Sequence, residues 1–288
     1  MKCLDWMIGD LAHQTEPIVT AILEEVNGRS YTFSDETEFS ELLSADLVAG
    51  HRLYWSELLG RAHWAAVSNL FRHQTWLESC KINYAAGNLL GFAASLRGLV
   101  EAGGDTCYSL DKIAPSLASD HSLIQNALNG QTEQIFYLAP EVEDLLIHFH
   151  YGRKLLKGEV APTSHNAETA SRYLEVFSPA DSQEVKALYS FLCQLVHPAA
   201  HSLWWSFSYD GQGTVAVEAP SGKLQIEELC LQHHNAIASV AQISLNTSLI
   251  ILKVLDRFNL PAVCSTVIRS VDLSNLTAWQ GIREQLEK

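Results

Sequence analysis

The sequence predicts an all-α fold, a multi-helix bundle with one small β-hairpin inserted near residues 203–218. Three observations carry this prediction. Apolar residues return every three or four positions over most of the chain, which is the period of a helix with one buried face. Long stretches contain no proline, which would break a helix. After His201 the period changes, and a glycine-rich turn separates two short β-prone runs.

Residues 1–80 are predicted to form the N-terminal helices. One helix runs through Leu11, and a second begins at Thr15, where Thr-Glu-Pro combines a capping residue with a proline in the first turn. Asp35 has Glu38 three residues later, and this spacing predicts a capping box at the start of the next helix.

One apolar stripe follows the helical period from about Thr37 to Ser79, where no proline occurs. Its members are His51, Trp55, Leu58, Leu59, Ala62, Ala66 and Leu70. The stripe predicts a long helix with one buried face. The arginines outside the stripe, which we predict to be solvated, are Arg52, Arg61 and Arg72.

The segment Lys81–Gly103 is apolar around nearly its whole circumference, which predicts a helix in the middle of a bundle. A glycine inside a helix costs about 1 kcal/mol relative to alanine. We therefore expect its internal glycines to allow close contact between helices, and these are Gly87, Gly91 and Gly98. Gly103 and Gly104 are expected to end the helix.

The rest of the chain is predicted to be helical on both sides of the hairpin. The expected helices are Pro115–Asn129, Val142–Lys157, Asn166–Phe177, Asp181–Val196, Leu224–Leu260 and Asn275–Leu286. The hairpin strands are Leu203–Tyr209 and Thr214–Glu218. The prediction is a single helical domain over 1–288, with N-terminal helices over 1–80, a core over about 81–260 and a C-terminal helix over 275–286.

Composition limits the classes of function. Apolar residues make up 47% of the 288-residue chain and charged residues 18%, with a formal net charge of −14. Non-specific nucleic-acid binding is not expected, because it needs a basic surface; a local RNA site stays open. The six cysteines show no paired spacing and are predicted to be reduced. With no signal-peptide pattern and no uninterrupted apolar run of about 18 residues, we expect a cytoplasmic protein without a membrane span.

Motifs for nucleotide hydrolysis, dinucleotide binding, zinc proteases and serine hydrolases are absent from the sequence. Among the twelve histidines, His197 and His201 have a spacing that allows two imidazoles on one helical face to share a metal. Pro198 disfavours helical geometry at His197, so a helix is predicted to end there. We therefore predict no metal site and no cofactor.

Arg97 and Glu101 lie one turn apart in the apolar helix and form a candidate pair. One interpretation is a satisfied ion pair. The other is a buried polar pair that faces His197 across the bundle, since charge inside a bundle is costly unless it is paired.

A resemblance to a known family rests on two short motifs. Tyr189-x-x-Leu192-Cys193-x-x-Val196-His197-Pro198 resembles the "HP" signature of an uncharacterised group of helical proteins that is similar to the HEPN superfamily. The helix that ends Leu96-Arg97-Gly98-Leu99-Val100-Glu101 resembles the "LRxLxE" helix of that group.

The resemblance implies an all-helical, commonly dimeric protein. Active HEPN proteins are metal-independent RNases that use an arginine and, four to six residues later, a histidine near a helix end. His197 matches that histidine by position. The arginine is absent, because Ser190, Phe191 and Leu192 occupy the corresponding places. Arg97 could replace it from another helix.

Three hypotheses follow. The first is a non-catalytic HEPN-like protein that acts through a protein partner or as a homodimer, in a stress or phage-defence setting that the family analogy suggests. The second is a divergent RNase with His197, Arg97 and Glu101 as catalytic residues. The third is a bundle that binds a small molecule or metal through its histidines and Trp204-Trp205, a tryptophan pair more simply explained as hairpin aromatics packed on the helices.

Overall fold

The computed structural model describes residues 11–131, 136–177, 179–198, 201–217 and 221–287. Over these residues it consists of helices and one two-stranded antiparallel hairpin, which confirms the predicted fold class. The helices before the hairpin are α1 Leu11–Glu25, α2 Glu36–Ala45, α3 Leu47–Ala85, α4 Leu89–Leu110, α5 Ile113–Ser119, α6 His121–Leu128, α7 Pro140–Tyr151, α8 Ala170–Leu174, α9 Pro179–Val196 and α10 His201–Trp204. The hairpin is β1 Phe207–Tyr209 and β2 Val215–Val217, and the later helices are α11 Gly222–Gln232, α12 His234–Leu255, α13 Thr266–Ser270 and α14 Thr277–Leu286. Short 3-10 helices cover Thr163–His165 and Asp256–Phe258.

The chain divides into two compact units, each with its own apolar core. The first unit comprises residues 11–17, Phe71–Cys107 and Thr169–Ser244. The second comprises Ile18–Leu70, Tyr108–Glu168 and Leu245–Lys288. Helices α1, α3, α4 and α12 contribute residues to both units. The single-domain organisation stays a prediction.

The periodicity predictions for the first helices are confirmed. All seven members of the stripe on α3 are buried, from His51 to Leu70. At the start of α2, the Asp35 carboxylate accepts a hydrogen bond from the Glu38 backbone N–H at 2.8 Å. The Glu38 carboxylate accepts one from the Asp35 N–H at 3.3 Å, which completes the predicted capping box.

Several predicted boundaries were wrong. The predicted start at Thr15 lies inside α1, and Pro17 lies in the same helix; the helix expected before Leu11 lies outside the described residues. The long helix predicted over Leu224–Leu260 is interrupted at His233, which leaves helical geometry at φ −115° and ψ 22°.

The predictions for three glycines in and before α4 were also wrong. Gly103 and Gly104 do not end the helix, which continues to Leu110. A Cβ on Gly103 would lie 2.8 Å from a Val240 methyl group, and one on Gly104 would lie 3.1 Å from the Tyr173 carbonyl oxygen. These glycines therefore permit close packing. Gly87, expected in a helix, lies in the turn before α4 with φ +65°.

Two of the arginines predicted to be solvated are packed instead. In the first unit, Arg72 donates hydrogen bonds to Asp105 at 2.5 Å and to Thr106 at 3.1 Å. In the second unit, the Arg61 guanidinium carbon lies 4.1 Å from the centre of the Phe33 ring. A long polar side chain that falls outside an apolar stripe can therefore still be fixed by a neighbouring element.

One segment bears on the expectation that the chain has no membrane span. By length and composition alone, His234–Phe258 is long and apolar enough to cross a membrane. In the structure 67% of its apolar window is buried. A core helix that is apolar all round has the same composition.

The cysteines agree with the prediction of reduced thiols. None of the five that the structure describes forms a disulfide bond, and these are Cys80, Cys107, Cys193, Cys230 and Cys264. Cys3 lies outside the described residues.

Candidate functional site

Helix α4 places Arg97 and Glu101 at the border of the first unit's core. The helix buries Phe92, Leu96 and Leu99 completely, which fixes its orientation. Arg97 and Glu101 lie one turn apart beside this buried face. Their side chains are 25% and 37% exposed, so the buried pair considered from the sequence is instead a partly exposed one.

Helix α9 faces this pair with Tyr189 and Cys193. The helix buries a stripe of residues spaced by three or four positions, namely Val185, Leu188, Leu192 and Leu195. Tyr189 and Cys193 lie next to the stripe, four residues apart, and so share one face. Both are half-buried.

Arg97, Glu101, Tyr189 and Cys193 form what we call the Arg97–Tyr189 cluster. Arg97 Nε donates to Glu101 Oε1 at 3.0 Å, and the Tyr189 hydroxyl donates to the same oxygen at 2.8 Å. The Arg97 guanidinium lies 5.6 Å from the centre of the Tyr189 ring, within cation–π range. Two helices are thus joined through one carboxylate oxygen.

The surroundings of the cluster raise the pKa of both Tyr189 and Arg97. Burial and the Glu101 carboxylate raise the pKa of the Tyr189 hydroxyl. Burial disfavours charge on Arg97, but Glu101, Tyr189 and Cys193 favour it, and the net effect raises the pKa of Arg97. Tyr189 therefore stays a donor and Arg97 stays charged at neutral pH. Neither is tuned to act as a base.

His197 lies at the end of α9, one turn after Cys193. It follows the last residue of α9, its N–H donates to the Cys193 carbonyl at 2.9 Å, and its side chain is exposed. The predicted helix end before Pro198 is confirmed.

The histidine pairs do not assemble a metal site in the parts of the chain that are described. There, no group of three or more His, Cys, Asp or Glu side chains could hold a metal ion. His201 begins α10 and lies 4.4 Å from the Trp204 ring, centre to centre. His148 Nδ1 donates a hydrogen bond to the Ser164 carbonyl at 3.1 Å, since a carbonyl only accepts. His150 stacks on Trp64.

The Trp204-Trp205 pair divides between core and solvent. Trp205 packs against the first unit's core and donates from Nε1 to the Ser202 carbonyl at 2.8 Å. Trp204 is 57% exposed. The expectation that both pack on the helices therefore holds only for Trp205. The first strand begins at Phe207 rather than Leu203, because residues 201–204 form a helical turn.

The hairpin carries one apolar and one small face. In its register Phe207 lies opposite Val217, and Tyr209 lies opposite Val215. Because opposed residues, and residues two apart, share a face, these four side chains lie together. All four are exposed, with Val217 at 86%. The other face carries Ser208 and Ala216.

No family model matches the chain, and neither the curated proteins nor the solved structures include a significant match. The HEPN resemblance therefore stays a prediction that rests on the two motifs alone.

Sequence reasoning missed the contact that organises the cluster. Tyr189 belonged to the motif, but its bond to Glu101 joins residues 88 positions apart. The available signal was the spacing of Tyr189, Cys193 and His197, which places the three near one face of a helix.

Replacing Tyr189 by phenylalanine is expected to destabilise the chain by about 1 kcal/mol, since the ring remains over Arg97 and only the hydrogen bond is lost. Urea unfolding at neutral pH measures the loss. Tyr151→Phe is the matched control, because Tyr151 is 45% exposed in the second unit. An equal effect of the two changes would show that the Tyr189 hydroxyl does not join the helices.

Proposed function

We propose that this chain is a non-catalytic helical protein that acts through protein contacts, and that its apolar hairpin face pairs two copies of the chain. The observation that carries the proposal is the hairpin, whose four large apolar side chains lie on one face and are exposed to solvent. A two-stranded hairpin is at best marginally stable alone in water. A contiguous exposed apolar surface in a folded protein usually marks an interaction site.

Charge restricts where a second copy can bind. The chain has a formal net charge of −14, so two copies repel each other over most of their surfaces. Between Phe207 and Val217 the one charged residue is Asp210. Its carboxylate accepts hydrogen bonds from the Gln212 and Thr214 backbone N–H groups, so it serves the turn. The hairpin is therefore a surface where two copies can approach without repulsion.

The strand edges support the same arrangement. In a two-stranded sheet each strand has one edge whose backbone groups pair with no other strand, and such edges are templates for pairing with another chain. Edge-to-edge pairing about a two-fold axis would bring together the same patch from each copy. On α11 of the same unit, Leu224 and Leu231 are also exposed, at 60% and 71%.

The Arg97–Tyr189 cluster gives the second candidate, an RNase that uses His197, Arg97 and Glu101. The one-turn spacing between His197 and Cys193, a member of the cluster, favours it. The ion pair disfavours it, because the Glu101 carboxylate neutralises Arg97 and would repel a phosphate bound there. An RNase needs an arginine free to stabilise negative charge on phosphorus. We therefore prefer a role for this cluster in joining helices α4 and α9, within a protein whose stress or defence setting follows from the family resemblance.

The test is the oligomeric state of the full chain, measured by sedimentation equilibrium. We expect a dimer for the unmodified chain, and at least a tenfold weaker association for Val217→Lys, since a lysine in an apolar contact costs more than about 1.4 kcal/mol. Val160→Lys is the matched control, because Val160 is 97% exposed and lies outside the hairpin.

Two outcomes would overturn the proposal. One is a monomer at about 100 µM, or equal weakening by both lysine variants, which would remove the hairpin from any self-association. The other is cleavage of RNA by the purified chain that His197→Ala abolishes, which would establish the RNase instead. A dimer that only the hairpin variant weakens, together with no RNA cleavage, supports the proposal.

A further inference from the structure

A groove in the second unit lies beside a buried histidine. The groove has a volume of about 400 Å³ and is bordered by the segment Arg29–Phe33, by α3 from Leu53 to Gly60, and by Leu260–Ala262. This volume is within the range of sites for small molecules. His63, which is completely buried, bonds to two of the groove's residues, Arg29 and Tyr31.

The hydrogen bonds of His63 fix the position of its proton. Arg29 Nη1 lies 3.3 Å from His63 Nε2, and an arginine can only donate, so Nε2 is the acceptor. Burial, and then the Arg29 charge, lower the pKa of His63 to about 4, so the ring is neutral at neutral pH. A neutral imidazole with a bare Nε2 carries its proton on Nδ1.

This tautomer leaves the Tyr31 hydroxyl proton unused. His63 Nδ1 lies 2.7 Å from the Tyr31 hydroxyl oxygen, so the imidazole donates and the tyrosine accepts. The Tyr31 O–H must then donate elsewhere. Within the described residues no hydrogen bond from it is present, and Tyr31 borders the groove.

Arg29 adds further donors at the same end of the groove. Its Nη1 group is used by His63 and by the Ala262 carbonyl at 2.8 Å. A guanidinium has five N–H groups, so three remain on Nη2 and Nε. A phenolic O–H beside a guanidinium is a suitable pair of donors for a carboxylate or phosphate group.

The walls of the groove are apolar and held in place. Phe33 has the Arg61 guanidinium over its ring at 4.1 Å and stacks on Trp64 at 6.1 Å, centre to centre. Leu53 and Pro261 also border the groove. These apolar side chains offer contact to the apolar part of a ligand.

Glu57 also borders the groove and is the one acidic residue there. Its Oε1 accepts a hydrogen bond from the Ser34 backbone N–H at 2.7 Å. The Glu57 carboxylate is thus held near Ser34.

We propose that this groove binds a small organic anion, whose carboxylate or phosphate group accepts hydrogen bonds from Tyr31 and Arg29 and whose flat apolar body lies against Phe33, Leu53 and Pro261. The site is independent of the hairpin and of the Arg97–Tyr189 cluster. The Tyr31–His63–Arg29 arrangement is what selects the anion, because it turns the phenolic O–H into a donor for the ligand.

The test uses small probes that share one phenyl body, titrated into the full chain and followed by ligand-observed NMR. Benzoate and phenyl phosphate are the anions, benzyl alcohol is neutral, and benzylamine is the cation. We expect the better anion to bind at least about tenfold more tightly than benzyl alcohol, as two charge-assisted hydrogen bonds would provide. The two anions distinguish a carboxylate from a phosphate ligand.

Three variants locate the binding. Tyr31→Phe keeps the ring and removes the O–H, and should weaken the anion about tenfold. Glu57→Gln removes the acidic charge and should leave anion binding equal or stronger. Ser30→Ala, also at the groove, is the control and should change nothing. Thermal unfolding confirms that each variant is folded.

The opposite results would overturn the proposal. Equal binding of benzyl alcohol and both anions would show an apolar site only. Tighter binding of benzylamine, lost in Glu57→Gln, would show a site for cations. Unchanged anion binding in Tyr31→Phe would place the anion elsewhere.

Discussion

Lowering the pH from about 7.5 to about 4.5 is expected to remove about 5 kcal/mol from the free energy of unfolding through His63 and His73. His150, whose pKa burial also lowers to about 4, adds to this loss. Burial, and then the Arg29 charge, lower the pKa of His63 to about 4, against an opposing effect of Glu25. Burial, and then the Arg72 charge, lower the pKa of His73 to about 4. The ordinary value that both regain on unfolding is 6.5.

The sign follows from which state binds more protons. Between pH 6.5 and about 4 the unfolded chain holds a proton on each imidazole, and the folded chain does not. Acid therefore favours the unfolded chain, and stability is lost as the pH falls through this window. Each histidine contributes about 2.5 kcal/mol at pH 4.5, a large part of the 5–15 kcal/mol that stabilises a typical domain.

Urea unfolding at the two pH values checks this expectation. In each of the variants His63→Gln and His73→Gln, the loss in free energy of unfolding between the two pH values should be smaller by about 2.5 kcal/mol, because glutamine does not gain a proton in this pH range. Glutamine at position 63 can also still accept from Arg29 and donate to Tyr31. His234→Gln is the control, because His234 is exposed. If all three variants keep the full loss, the acid sensitivity arises from other groups.

The sequence was sufficient to predict those features that depend on residues within a single helix. The stripe from His51 to Leu70 is buried because a helix repeats every 3.6 residues, and this needs no knowledge of a partner. The capping box of Asp35 and Glu38 was predictable for the same reason, since both residues and both backbone groups lie within one turn.

Prediction from the sequence failed for features that depend on contacts between residues far apart in the chain. Gly103 and Gly104 read as a helix end, yet packing against Val240 and Tyr173 keeps the helix intact through both. The groove was missed because Tyr31, His63 and Pro261 come from separate parts of the chain, and no local pattern joins them. A histidine's neutral tautomer depends on its partners and is not readable from composition.

The candidate site contains one feature that a single helix determines and others that depend on long-range contacts. The one-turn spacing of Arg97 and Glu101 predicted their ion pair correctly. Its exposure and its bond to Tyr189 depend on how α9 packs against α4, which spacing alone does not give. That packing matters for function, because a carboxylate shared by Arg97 and Tyr189 is suited to joining helices and unsuited to holding a phosphate.

Gly98→Ala is expected to destabilise the chain by about 2 kcal/mol, although alanine is the better helix former by about 1 kcal/mol. A Cβ at this position would lie 2.6 Å from the Trp76 ring, well inside van der Waals contact. The indole packs against the first unit's core and cannot rotate away freely. The change therefore forces helices α3 and α4 apart beside Arg97 and Glu101.

Gly281→Ala provides the matched control in urea unfolding, because it also lies inside a helix and a Cβ there would meet no atom within 4 Å. It should raise stability by up to about 1 kcal/mol. Adding Trp76→Leu should recover much of the Gly98→Ala loss, measured as a coupling energy in a double-mutant cycle, because the two residues are in contact. If Gly98→Ala stabilised the chain as Gly281→Ala does, the close approach of Trp76 to α4 would be wrong, and the glycine in the Leu96–Glu101 motif would need another explanation.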